Sequence, residues 1–159
     1  MLSESRILNK EDGSMKVLVT YDGTLQSKEA LRYGMEKVKE KGGEVIALHI
    51  FNSTLFIDYD VAGASEAARR ESARLMEEAK GLMRESGVKA TLFAGEGDPE
   101  DETIRFATEK NVDVLLCPPR YKSIVKRFQK VAEDRGRQAS ENTILDGAEK
   151  LKMAVVSVQ

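Results

Sequence analysis

The 159-residue chain predicts an α/β protein, a three-layer α/β/α sandwich with a five-stranded, mainly parallel sheet. Two observations predict this class. Short apolar runs rich in β-branched residues alternate along the chain with longer segments whose apolar residues recur every three or four positions. The apolar runs are continuous rather than alternating, which is typical of strands covered by helices on both faces. We therefore expect helices on both sides of the sheet, joined to the strands by right-handed crossovers.

The first strand and the turn after it are the most informative part of the chain. The strand is centred on residues 17–19 and ends at Asp22-Gly23, a pair that favours a turn. Thr24 stands where an N-cap residue is expected, before an apolar stripe that ends at a glycine pair, residues 42–43. Ligands in such sheets bind beyond the carboxyl ends of the strands. We expect the ends of the first and fourth strands to frame the site.

The middle of the chain predicts two more strands and two more helices before the fourth strand. The long helix carries small and apolar residues at helical spacing between charged faces, so we expect one long amphipathic helix. The residues of this stripe are Ala64, Ala68, Ser72, Leu75, Ala79 and Leu82. Asp98 and Pro99 are typical of the N-cap and the first turn of the next helix. The predicted elements are a strand over 44–51, a loop over 52–61, a helix over 62–86, a strand over 88–94, a helix from 99 and a strand at Val114–Cys117.

The ends of the chain are less regular. Pro118-Pro119 ends the fourth strand, and residues 120–152 predict two helices broken around Gly136. Residues 153–158 predict a fifth strand. Residues 1–14 are interpreted as a polar extension outside the domain of residues 15–159, with disorder as one interpretation.

Composition excludes several classes of partner. The 25 Lys and Arg residues against 27 Asp and Glu residues leave a net charge of −2, so no overall field attracts nucleic acid or a membrane surface. A single cysteine, Cys117, and a single histidine, His49, exclude an internal disulfide and the common Cys/His zinc patterns. No membrane-spanning run or signal peptide is recognisable. We expect a cytoplasmic protein without a metal site.

No catalytic motif stands out. The chain lacks a G-x-S-x-G elbow, a G-x-x-x-x-G-K-[ST] phosphate loop and a complete G-x-G-x-x-G fingerprint. His49 lies in a strand among apolar residues, where a lone histidine is more often a hydrogen-bonded structural residue than a base. Cys117 ends a buried strand, where an inert packing role is expected of the thiol. We predict no catalytic residues.

Several segments, taken together, resemble the universal stress protein family, whose fold is related to that of the adenine nucleotide α-hydrolase group. The resemblance covers most of residues 15–117 and implies the strand order 3-2-1-4-5. It depends on the order and spacing of segments that are weak singly. These are Lys16-Val-Leu-Val-Thr-Tyr-Asp-Gly-Thr24 with Ser27, Ala30 and Leu31, Glu44-Val-Ile-Ala-Leu-His-Ile50, Gly97-Asp-Pro99 with Ile104 and Ala107, and Asp113-Val-Leu-Leu116.

The resemblance implies half of a nucleotide site. By position, Asp22 would lie at the ribose and adenine and Ile50 at the base, although Asp22 could equally satisfy backbone amides at the start of the first helix. The family holds phosphates with glycines after the fourth strand, where this chain has Cys117-Pro-Pro-Arg-Tyr121. Prolines have no N–H group to offer a phosphate. The resemblance is therefore to members thought not to bind ATP.

Three hypotheses about function follow. The first is a non-enzymatic stress-response or regulatory homodimer, paired through the C-terminal strand and acting on an unknown protein partner. The second is an ATP- or AMP-binding module with an arginine-based phosphate site, whose candidate contacts are Thr20, Asp22, Ile50 and Arg120. Residues 120–137 carry seven basic against two acidic residues, a local balance of plus five, although a charged helix face is usually only solvated. The third and weakest is an enzyme acting on an adenylated intermediate.

Overall fold

A computed structural model describes residues 15–56, 63–121, 123–141, 151 and 153–158. The predicted extension, residues 1–14, lies outside the described residues, as does the second half of the predicted loop before the long helix, residues 57–61. The strands are β1 (Met15–Thr20), β2 (Gly43–Phe51), β3 (Ala90–Glu96), β4 (Val114–Cys117), β5 (Ala139–Glu141) and β6 (Ala154–Val158). The α-helices are α1 (Leu25–Lys41), α2 (Ala64–Ser86), α3 (Pro99–Glu109) and α4 (Ile124–Asp134), and a 3-10 turn occupies Ser53–Phe56.

The described strands form a single sheet of six, in the order β3-β2-β1-β4-β6-β5. β1 pairs in parallel with β2 and β4, and β2 pairs in parallel with β3. The carboxyl ends of these four strands therefore meet at one edge of the sheet, here called the carboxyl edge. The predicted fold class is confirmed, and the order 3-2-1-4 of the first four strands is as expected, but the predicted count of five strands is wrong, since the described sheet has six.

The core consists of two layers, one on each face of the sheet. Val17 and Val19 of β1 pack with Leu31 of α1 and with the carboxyl half of α2. Leu18, which points to the other face, packs with α3 and with Phe128 of α4. Successive residues of β1 and β4 are buried because helices cover both faces, and this explains their continuous apolar runs.

The capping residues in the sequence predicted the starts of α1 and α3 correctly. Thr24 caps α1, and its hydroxyl oxygen accepts a hydrogen bond from the Ser27 N–H at 3.2 Å. Asp98 caps α3 in the same way by accepting from the Asp101 N–H at 3.0 Å, with Pro99 in the first turn. The predicted start of the long helix was wrong by two residues, since α2 begins at Ala64.

The C-terminal part differs from the prediction. A strand, β5, follows Gly136 at residues 139–141, where the start of a second helix was expected, and residues 142–150 lie outside the described chain. β6 lies beside β4 as expected, but it runs antiparallel to both β4 and β5. β5 therefore runs in the direction of β4 and ends at the carboxyl edge. Because the chain is already at that edge, it enters β6 in the reverse direction, without the crossover that a parallel strand requires.

The amino half of α2 also departs from expectation. The predicted face included Ala68, Ser72 and Leu75, yet within α2 only Ala79 and Met83 are buried. The buried residues of α2 thus belong to its carboxyl half, while the amino half is more exposed. Open space lies beside the amino half at the carboxyl edge, by the ends of β2 and β3.

Candidate functional site

The turn after β1 is organised by Asp22. Its Oδ1 atom accepts hydrogen bonds from the Thr24 N–H at 3.0 Å and from the Thr24 hydroxyl at 2.6 Å. The Asp22 N–H donates to Ser27 Oγ at 3.3 Å, and Ser27 in turn donates to the Thr24 carbonyl at 3.0 Å. One carboxylate oxygen of Asp22 is thus used to hold the start of α1, which is the structural role that the sequence left open beside a ribose contact.

The second carboxylate oxygen of Asp22 faces Arg120. Arg120 Nη2 lies 3.4 Å from Asp22 Oδ2, and its guanidinium carbon lies 5.3 Å from the centre of the Tyr121 ring. Burial raises the pKa of Asp22, but hydrogen bonds from Thr24, Ser27 and Arg120 outweigh it and hold that pKa below its ordinary value. Asp22 is therefore a carboxylate at neutral pH, already neutralised by a cation of the same chain.

A tight turn after β4 brings Arg120 to this position. The Tyr121 N–H donates to the Pro118 carbonyl at 3.0 Å, and the Ile124 N–H donates to the Tyr121 carbonyl at 3.1 Å. Pro118 is buried and Pro119 is exposed. Since neither proline has an N–H group, this turn offers few backbone donors to an anion.

These two turns enclose a small space, here called the cleft, of about 180 Å³. Typical small-molecule pockets measure about 300–1,000 Å³, so the cleft is small for a nucleotide. Its lining residues are Asp22, Thr24, Gln26, Ser27, Pro118, Pro119, Arg120 and Met153.

The structure brings together two of the four predicted contacts. Asp22 and Arg120 meet in the cleft, whereas Thr20 and Ile50 are not among its described lining residues. Ile50 pairs with Gly95 of β3 and packs toward α3. Thr20 is 5% exposed, and its hydroxyl has no hydrogen-bond partner among the described residues. This buried hydroxyl is the one polar group near the end of β1 that the described fold leaves unsatisfied.

The basic segment of residues 120–137 does not converge on one site. Arg127 pairs with Asp101 at 2.9 Å, and Arg135 donates to Asn111 Oδ1 at 2.6 Å. Arg137 lies 3.1 Å from Asp113, whose other carboxylate oxygen accepts from the backbone N–H of Lys16 near the start of β1. Arg137 is therefore at the edge of the sheet opposite Arg120. The expectation that these cations gather around an anion is wrong for the described arginines, because α4 runs along one face of the sheet from the carboxyl edge to the opposite edge and separates Arg120 from Arg135 and Arg137.

A larger space, here called the groove, lies at the ends of β2 and β3 and measures about 360 Å³. His49 and Ser72, which the sequence treated as structural residues, both face it. Local patterns gave no sign that Arg69 and Glu96 would also meet there; the run of small residues Ala94-Gly95 opposite Ala73 is the one signal that could have indicated room. The lining residues are His49, Phe51, Arg69, Ser72, Ala73, Met76, Ala94, Gly95 and Glu96.

Two other kinds of site were sought. Across the described residues, no three His, Cys, Asp or Glu side chains gather as a metal ion would require. None of the described helices is long and apolar enough to span a membrane.

Known universal stress proteins are similar to this chain in sequence. At the sequence level it is 28% identical over 128 residues to a universal stress protein of Methanocaldococcus jannaschii, covering 78% of this chain and 75% of that protein. It is 26% identical over 116 residues to the universal stress protein YxiE of Bacillus subtilis, covering 66% and 78%.

Solved structures show the same fold. A protein of the universal stress protein family from Burkholderia pseudomallei has a TM-score of 0.54 at 21% identity, covering 64% of this chain and 78% of that one. The universal stress protein of Archaeoglobus fulgidus in complex with dAMP has a TM-score of 0.54 at 18% identity, covering 71% and 87%. The model of the Universal stress protein family matches residues 13–142, from before β1 to beyond β5. Because this match spans most of the chain, the protein belongs to the universal stress protein family.

Proposed function

We propose that this protein is a non-enzymatic stress-response or regulatory protein of the cytoplasm that lacks the ordinary ATP binding of its fold. The observation that carries this proposal is the Asp22–Arg120 ion pair across the cleft, at 3.4 Å. The carboxylate that a ribose would use is already engaged twice within the chain, by Thr24 and by Arg120. A ribose hydroxyl would have to compete with these partners for the Asp22 carboxylate.

The loop after β4 supports the same proposal. Phosphate sites in α/β folds depend on backbone N–H groups that surround the oxygens. Pro118 and Pro119 supply none, and Tyr121 adds a large ring behind Arg120. The cleft of about 180 Å³ is also too small for a base, a ribose and a phosphate together.

Thermal melts with ATP, AMP and dAMP test this proposal. A ligand at about 100 times its dissociation constant adds about 2.7 kcal/mol to the free energy of unfolding of the form it binds. For a domain of this size, that is a rise of several degrees in Tm. We expect no rise with any of the three nucleotides. A rise of this size with one of them, confirmed by calorimetric titration, would contradict the proposal.

A second candidate function is adenine-nucleotide binding through Arg120, with ATP or AMP as the ligand. It is favoured by the position of Arg120, whose side chain is 64% exposed beside Asp22 at the carboxyl edge. A guanidinium can exchange a carboxylate for a phosphate, which it also binds with two parallel hydrogen bonds. The Archaeoglobus fulgidus structure is a complex with dAMP, which is consistent with such a ligand for the fold.

Two variants separate the two candidates. If Arg120 holds a phosphate, Arg120→Gln abolishes any nucleotide-dependent rise in Tm. The variant then also lowers the affinity for AMP more than the affinity for adenosine. Arg84→Gln is the matched control, because Arg84 is an exposed arginine in the last turn of α2, away from the cleft. Equal effects of the two variants would exclude a specific role for Arg120.

We also propose a homodimer that uses the C-terminal strand. Among the described residues, β5 covers β6 over residues 156–158, and Ala154 and Val155 have a strand partner on the β4 side alone. A short, partly covered edge of this kind is open to pairing with a second copy. Light scattering after size exclusion at micromolar concentration should give twice the chain mass of 17.6 kDa. A monomer would contradict this part of the proposal.

A further inference from the structure

The groove lies between the amino half of α2 and the ends of β2 and β3. Three of its lining residues are small, Ala73 of α2 and Ala94 and Gly95 of β3, and no side chain in the amino half of α2 is buried. The volume of about 360 Å³ lies within the range of about 300–1,000 Å³ that is usual for small-molecule sites. Its described lining residues differ throughout from those of the cleft.

The inner wall of the groove carries two polar side chains, His49 and Ser72. His49 is 5% exposed, its Nδ1 lies 2.9 Å from the Tyr21 carbonyl oxygen, and its Nε2 lies 2.9 Å from Ser72 Oγ. Since a carbonyl only accepts, Nδ1 donates to the Tyr21 carbonyl, and the second ring nitrogen shares a hydrogen bond with the Ser72 hydroxyl. The imidazole is therefore held on both sides.

The mouth of the groove carries one charge of each sign. Arg69 Nη2 lies 2.5 Å from Glu96 Oε1, and the Arg69 guanidinium lies over the Phe51 ring with its carbon 4.3 Å from the ring centre. The two side chains remain 57% and 51% exposed, so this contact leaves donors of the guanidinium and an oxygen of the carboxylate facing solvent. Cation and anion therefore stand side by side at the entrance.

We propose that the groove binds a free apolar α-amino acid. The ligand carboxylate would bind Arg69, its ammonium group would bind Glu96, and its side chain would lie between Met76 and Phe51 against Ala73. A purely anionic ligand is repelled by Glu96 and a purely cationic one by Arg69, whereas a zwitterion pairs with both charges at once. The apolar wall supplies the rest of the affinity. This site is separate from the cleft and does not depend on the function proposed above.

An NMR titration of the isotope-labelled full chain tests this assignment. L-phenylalanine should shift the backbone amide signals of Ala73, Met76 and Gly95 in a saturable way. The titration extends to about 10 mM, where even a Kd of about 1 mM gives near saturation. N-acetyl-L-phenylalanine lacks the ammonium group and phenethylamine lacks the carboxylate, so each should bind at least about tenfold more weakly. The absence of shifts, shifts confined to other residues, or equal binding of all three compounds would each overturn the proposal.

Variants at the mouth provide an independent check. Arg69→Gln and Glu96→Gln should each lower the affinity for L-phenylalanine at least about tenfold. Because both side chains are more than half exposed, the fold should tolerate either change. Arg84→Gln, on the same helix, and Asp22→Asn, in the cleft, are the matched controls and should bind as the unaltered chain does. Binding that is unchanged by Arg69→Gln, or lowered equally by Arg84→Gln, would overturn the assignment.

Discussion

The cleft and the groove lie at the same carboxyl edge of one sheet, yet they differ in open volume and in the placement of their charged side chains. In the cleft, Arg120 and the prolines after β4 occupy the space, and the acidic side chain is neutralised from within. In the groove, small residues leave about twice the volume, and the charged pair stands at the rim. The shared sheet only provides the location. The side chains that follow each strand decide whether that location is filled or open.

Gly23, in the turn that forms the cleft, lies against α2, the helix that borders the groove. A substitution there should have the largest effect on the free energy of unfolding. Gly23 has φ +80°, and a Cβ atom there would overlap a methyl group of Leu75 on α2. We expect Gly23→Ala to lower the free energy of unfolding by about 3 kcal/mol, from left-handed strain and from displacement of Leu75. Urea unfolding measures this loss.

The matched control for this effect is Gly87→Ala. Gly87 has φ +73° at the end of α2, but a Cβ atom there would meet nothing within 4 Å. It should cost only the backbone strain, about 1 kcal/mol. If both variants lose the same amount, the turn of the cleft is not packed against α2 as described.

Removing the imidazole of His49, which lines the groove, should have the next largest effect on the free energy of unfolding. His49→Leu leaves the Tyr21 carbonyl and the Ser72 hydroxyl without their partner, so we expect a loss of about 2 kcal/mol in the free energy of unfolding. Combining it with Ser72→Ala should cost less than the sum of the single changes, because the hydroxyl is then removed as well. Strictly additive losses in urea unfolding would show that the two side chains do not interact.

The neutralised acid of the cleft predicts a pH-dependent effect. Because folding lowers the pKa of Asp22, its contribution is complete above the unfolded value of about 3.9 and is lost as the pH falls through the folded pKa. At neutral pH we expect Asp22→Asn to cost about 0.5–1 kcal/mol, a modest figure because the side chain is 35% exposed and solvent screens the ion pair. Unfolding curves of the two proteins should converge at low pH. A difference that stays constant as the pH is lowered from neutral would contradict the assignment.

The unpartnered hydroxyl of Thr20 predicts the smallest effect. Since it loses hydration without gaining a described partner, Thr20→Val should raise the free energy of unfolding by about 0.5 kcal/mol. Thr103→Val is the matched control, because the Thr103 hydroxyl donates to the Pro99 carbonyl at 2.7 Å and its removal should cost about 1 kcal/mol. A loss at Thr20 equal to that at Thr103 would mean that the Thr20 hydroxyl has a partner in solution.

The sequence predicted most of the fold because the signals involved are local. The apolar runs of β1, β2 and β4 and the caps at Thr24 and Asp98 each depend on a few neighbouring residues. The candidate site was predicted in part. Asp22 could be located because it follows a recognisable strand and turn, whereas the contact of Arg120 with it joins residues 98 positions apart.

The sequence alone determined the fold class and the starts of α1 and α3, because periodicity and capping residues act over a few positions. Its resemblance to a known family implied the order of the first four strands and the loss of a glycine loop after β4. Tertiary structure decided the reversed direction of β6, the Asp22–Arg120 pair and the groove under α2. Each of these depends on the distance between elements that are remote in sequence. Such distances are set by how side chains of different helices and strands fill the space between them, and no local pattern records that.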